Sequence, residues 1–83
     1  MKLITVNGRV YELHKASEGL FERPFIIDAE TKRKPSAQLG KERGVVRLFN
    51  IENNKKYFTD EEMVKYPTHQ IIEKLIKKLE EEK

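Results

Sequence analysis

Asn7-Gly8 lies between two alternating runs, Lys2-Leu-Ile-Thr-Val6 and Arg9-Val-Tyr-Glu-Leu13, and no other dipeptide restricts the chain so tightly. Both residues accept positive φ, so they select a type I′ turn, whose twist matches two antiparallel strands. Setting Val6 opposite Arg9 and Ile4 opposite Tyr11 places Ile4, Val6, Tyr11 and Leu13 on one face. Leu3, Thr5, Val10 and Glu12 take the other. The first element is therefore a hairpin whose apolar face needs a cover.

Residues 44–59, Gly-Val-Val-Arg-Leu-Phe-Asn-Ile-Glu-Asn-Asn-Lys-Lys-Tyr-Phe-Thr, repeat the pattern, with β-branched and aromatic residues on either side of Asn53-Asn54. The same turn chemistry predicts a second hairpin, with Phe49, Ile51 and Phe58 sharing one face. Between the hairpins, residues 14–23 read as a connection in which Leu20 and Phe21 plug the open end of the sheet. Pro24 then opens Phe25-Ile-Ile-Asp28, a third strand whose leading proline removes no interior ladder bond. Residues 29–40 are polar and carry Pro35 and Ser36, which argues against regular structure. A loop longer than about 12 residues in so small a domain is functional or disordered.

Thr59-Asp-Glu-Glu62 is a capping box, with acidic residues suited to the positive end of a helix dipole. Pro67 disfavours helical geometry at Tyr66, so the first helix is short and a longer one starts near Thr68. There Ile71, Ile72, Leu75, Ile76 and Leu79 form a stripe expected to cap the sheet, with a dimer seam as the alternative. Glu80, Glu81 and Glu82 face the negative end of the dipole, and the last turn is expected to fray. The expected fold is α+β: a small antiparallel SH3-like sheet or barrel of about five strands with a C-terminal amphipathic helix. Residues 1–83 form one domain, β-rich and basic over 1–58 and helical over 59–83.

Composition limits what such a domain can do. Eighty-three residues bury one core and leave no room for a deep cleft. There is no cysteine, so no disulfide framework or thiolate metal site can form and a reducing compartment is expected. No apolar run reaches the ~18 residues of a membrane span, and no signal-peptide core is visible, so a cytoplasmic protein with no membrane partner is expected. His14 and His69 lie in no metal-ligand or triad spacing, and no phosphate-loop, zinc-protease or nucleophile-elbow motif occurs. The chain reads as a non-enzyme with no metal and no cofactor.

The net charge of +3 conceals an asymmetry. Residues 1–58 hold 12 Lys and Arg against 7 Asp and Glu, whereas residues 59–83 hold 5 against 7. Clustered cations favour an anionic partner. Lys32, Arg33, Lys34, Lys41, Arg43, Arg47, Lys55 and Lys56 are the candidate phosphate ligands, interleaved with apolar and aromatic residues as nucleic-acid surfaces are. The Asn7-Gly8 hairpin, residues 44–58, and the acidic helix start at Thr59 leading past Pro67 into an Ile/Leu helix together resemble the small archaeal chromatin proteins with an SH3-like barrel. That resemblance implies DNA binding with little sequence preference, a three-stranded sheet lying on a bent minor groove. The chain departs from that pattern in having no Trp for the binding sheet and a longer loop over residues 29–44, so no intercalating residue is carried over. The expected function is nucleic-acid binding, to DNA rather than RNA, by a monomer or weak homodimer. The alternative is a small interaction module or regulator that docks on an acidic protein surface.

Overall fold

The computed structural model describes residues 1–19, 23–34 and 41–82, the side chain of Lys41 excepted. Within them the elements run β1 (Lys2–Val6), β2 (Arg9–His14), a 3-10 turn (Ala16–Glu18), β3 (Phe25–Asp28), α1 (Lys41–Glu52), α2 (Asp60–Lys65) and α3 (Thr68–Glu81). The fold is α+β, an open antiparallel sheet in the order β1-β2-β3.

The first hairpin has the register its turn dictates. Asn7 and Gly8 have φ of 51° and 73°, Val6 pairs with Arg9, and Ile4 with Tyr11. β3 continues the meander by setting Leu13 against Ile26 and His14 against Phe25. Alternation then divides the sheet. Ile4, Val6, Leu13 and Ile26 are buried on one face, and Leu3, Val10, Glu12, His14, Phe25 and Ile27 share the other. The expected plug, Leu20 and Phe21, lies outside the described residues.

The second hairpin and the closed five-stranded barrel are not what forms: residues 41–52 are a helix, and the described sheet has three strands and open edges. Val45, Val46, Phe49 and Asn50 are buried at i, i+1, i+4 and i+5, the stripe a helix needs to lie on a sheet. Burial of that stripe outweighs the β-propensity of its valines, which is a weak, context-dependent preference. Ile51, expected beside Phe49 and Phe58, instead points outward and is 67% exposed.

Of Asn53-Asn54, Asn54 does use the left-handed region, but to end α1 rather than to join strands. Asn54 has φ of 52°, and the amide and side chain of Asn53 both donate to the Phe49 carbonyl, at 3.1 and 2.9 Å. Asn50 then ties down the chain beyond the helix, its Oδ1 accepting from the Tyr57 amide at 3.3 Å.

The C-terminal part follows its sequence signals. The Thr59 hydroxyl accepts from the Glu62 amide, and the Glu62 carboxylate accepts from the Thr59 amide. That amide, aided by the Thr59 hydroxyl and offset by burial, holds the Glu62 carboxyl below the usual range. Tyr66 is extended at φ −92° and ψ 140° before Pro67, which separates α2 from α3. Ile71, Ile72, Leu75 and Ile76 are buried against the sheet, α1, Phe58 and Met63, so the stripe serves the chain's own core. Each such side chain contributes about 1.5–3 kcal/mol by leaving water.

The acidic end of α3 does not fray. Glu80 meets Lys15 at 2.6 Å, and Glu82 accepts from the Tyr57 hydroxyl at 2.9 and 3.0 Å and from Lys55 at 3.2 Å. Tertiary partners thus outweigh the unfavourable dipole, whose effect is only a few tenths to about 1 kcal/mol. No helix among the described residues is long and apolar enough to cross a membrane.

Candidate nucleic-acid interface

The eight expected phosphate ligands do not form one surface. Lys32 sits in a turn with φ of 58°, and its Nζ binds the Glu12 carboxylate at 2.7 Å. Arg43 turns inward: Nη2 donates to the Tyr66 carbonyl at 2.6 Å, and Nε is buried with no partner among the described residues. The Tyr66 carbonyl is available because Pro67 interrupts the helix. Lys55 is paired with Glu82. Arg33, Lys34, Arg47 and Lys56 remain exposed, and the side chain of Lys41 lies outside the description.

On the outer face of the sheet the cations are matched by carboxylates. His14 sits between two of them, Nε2 at 2.8 Å from Glu12 and Nδ1 at 2.7 Å from Glu18. Hydrogen bonds from Lys32 and then His14 hold the Glu12 carboxyl below the usual range. Glu18 is lowered likewise, first by the terminal ammonium of Met1 at 2.9 Å. At the rim of the inner face, Arg9 Nε donates to Asp28. Burial works against the ionised Asp28, but Arg9 and the amides of Thr31 and Glu30 outweigh it and lower its pKa. On this face Glu12 and Glu18 are thus engaged by Lys32, His14 and the terminal ammonium.

A different site lies beside that face. Arg23, Phe25, Lys34, Glu42, Thr68 and His69 line a cavity of about 840 Å³. They arrive from the start of β3, the turn after it, and the first turns of α1 and α3. The Phe25 ring is held by stacking on His14 at 4.7 Å and 2°, and Lys34 Nζ lies 5.3 Å from its centroid. Gly19 packs so closely that a Cβ there would fall 2.5 Å from the ring. Burial raises the Glu42 carboxyl above its ordinary pKa, with the Lys34 charge opposing the shift.

The cavity therefore combines two cationic groups, Arg23 and Lys34, with an imidazole, an aromatic side chain and one carboxyl whose pKa burial raises. Of its residues the sequence singles out Lys34 alone for binding. Arg23 reads there as part of a connection and His69 as an isolated surface histidine; four separate stretches of chain have to meet before they form a site. Arg47, Lys55 and Lys56 gather elsewhere, around a hollow between α1 and α2.

No protein-family model matches the chain, and neither a curated protein nor a solved structure does. Of the segments behind the resemblance to archaeal chromatin proteins, the hairpin and the C-terminal helices are present and residues 44–58 are not a hairpin.

Proposed function

We propose that this chain is a non-enzymatic nucleic-acid-binding protein that takes a single-stranded DNA segment at the cavity beside β3, with little sequence preference. Arg23 and Lys34 meet phosphates there, with Arg33 adjacent to Lys34 in the chain. Phe25, stacked on His14 and with Lys34 over its ring, supplies an apolar edge that a sugar packs against. The observation that carries this reading is the meeting of Arg23, Lys34 and His69 with an aromatic ring in one concave site. Concavity favours a flexible strand over a duplex, because a single strand can turn one nucleotide inward while its neighbours keep their phosphates on the rim.

Glu42 makes the reading sharper. An anion placed in the cavity favours the neutral form of a carboxyl already raised by burial, so binding takes up a proton and affinity rises as pH falls. Glu42→Gln removes this dependence and tightens binding near neutral pH.

The test is fluorescence anisotropy of labelled random single strands and duplexes at about 0.05 and about 0.2 M salt. Single-strand binding with a steep salt slope is expected, and Arg23→Ala/Lys34→Ala should flatten that slope by about 1.4, about 0.7 for each phosphate that is no longer neutralised. No binding at the lower salt, or a slope unchanged in the double variant, refutes the assignment.

A further inference from the structure

A second concave surface lies where α1 ends and α2 begins, and its chemistry differs. It is a hollow of about 490 Å³ with Phe58 and Met63 beneath, Ile51 at the wall, and Arg47, Lys55 and Lys56 around it. Ile51 is 67% exposed, Leu48 one turn earlier on α1 is 42% exposed, and Val64 beside Met63 is 76% exposed. Ile51 is thus a large aliphatic side chain left in water at the wall of a hollow floored by the buried Phe58 and Met63, with Leu48 exposed elsewhere on α1 and Val64 on α2. Among the described residues, neither Arg47 nor Lys56 has an ion-pair partner within 4 Å.

We propose that this hollow docks an acidic segment of another protein, one that inserts a large aliphatic or aromatic side chain between Ile51 and Met63. Its carboxylates meet Arg47 and Lys56. Charge complementarity argues for the occupant: Arg47 and Lys56 line the hollow beside Lys55, which Glu82 already holds, and among the described residues Asp60 is the one carboxylate lining it. The chain itself shows how a carboxylate sits at this edge, because Glu82 is held by Lys55 at 3.2 Å and by the Tyr57 hydroxyl. Nucleic acid fits less well. Phe58 is buried and the Tyr57 ring stacks on Phe49 at 5.6 Å, so the exposed apolar groups are aliphatic and offer no stacking face to a base. The surface would work as an anchored patch, an apolar insertion fixing position and the cationic rim fixing partner choice.

Panning a random peptide display library separately on the wild-type chain and on Arg47→Glu/Ile51→Asp tests this. Both substitutions fall on exposed positions, and circular dichroism confirms that the variant is folded. Enrichment on the wild type alone, of peptides with net negative charge and a Leu, Ile, Phe or Trp, is expected. A synthetic form of the enriched peptide should bind each single variant roughly tenfold more weakly than the wild type. Absence of wild-type-dependent enrichment, or enrichment of neutral or basic peptides, overturns the proposal. So does displacement of the enriched peptide by an equimolar single-stranded oligonucleotide, which would make this a nucleic-acid surface. A concentration-dependent mass in sedimentation that Ile51→Asp abolishes would instead make it a contact between copies, and would also overturn it.

Discussion

The sheet and the α1–α2 junction carry the same kinds of charge and use them in opposite ways. On the sheet, Arg9 is held by Asp28, Lys32 by Glu12, and His14 by Glu12 and Glu18. At the junction, Arg47 and Lys56 stand in solvent around exposed aliphatic side chains. Counting cations therefore overstates what a partner can meet. A paired cation adds rigidity locally, and a partner that recruits it must first break that pair.

Both regions rest on one core, which gives the largest expected effect. Leu75 is fully buried between them, and Leu75→Ala should lower stability by about 2–5 kcal/mol in urea unfolding. The loss should appear as one transition in circular dichroism and in tyrosine fluorescence. Two separate transitions would mean that the halves are independent and that comparing them as parts of one domain is mistaken.

The acid limb comes next. The folded pKa values of Asp28, Glu12 and Glu18 lie below their ordinary values, so each contributes stability that is complete above the unfolded pKa of about 4 and is lost as pH falls through the folded value. Thermal unfolding temperature should hold between about pH 7 and about pH 5 and drop below about pH 4. Asp28→Asn should lower the neutral plateau and soften that drop. An unchanged acid profile in this variant would show that the Arg9 pair is not what separates the sheet from the junction.

Two smaller effects complete the contrast. Thr59→Ala removes the cap at the start of α2 and should cost about 1 kcal/mol. Arg47→Gln/Lys56→Gln should leave stability within about 0.5 kcal/mol, because both groups are exposed and have no ion-pair partner among the described residues. A larger loss at the junction would mean that its cations are structural, as those of the sheet are.

How far the sequence discloses this arrangement varies with the range of the interactions. The Asn7-Gly8 turn, the Thr59–Glu62 box and the break at Pro67 are set by residues within a few positions of one another, and each is legible. Asn54 is legible only in part. Its positive φ marks where the chain reverses but is silent on whether a strand or a helix has just ended. In residues 45–49 the spacing of Val45, Val46 and Phe49 holds the helical signal, and the β-branched composition masks it. The charges are the least legible. Arg43 is turned inward by a carbonyl 23 residues away, and Lys32 is paired with a glutamate 20 residues away. Arg23 and His69 come to line one cavity only once β3 and α3 are packed.

The most direct test of two distinct surfaces is a ¹H–¹⁵N correlation titration of the whole chain with an oligothymidine strand. The account predicts saturable shifts at Gly19, Phe25, Lys34 and His69, with the amides of Arg47, Ile51 and Lys56 unmoved. Shifts centred on Arg47, Ile51 and Lys56, or no shifts at either surface, would contradict it.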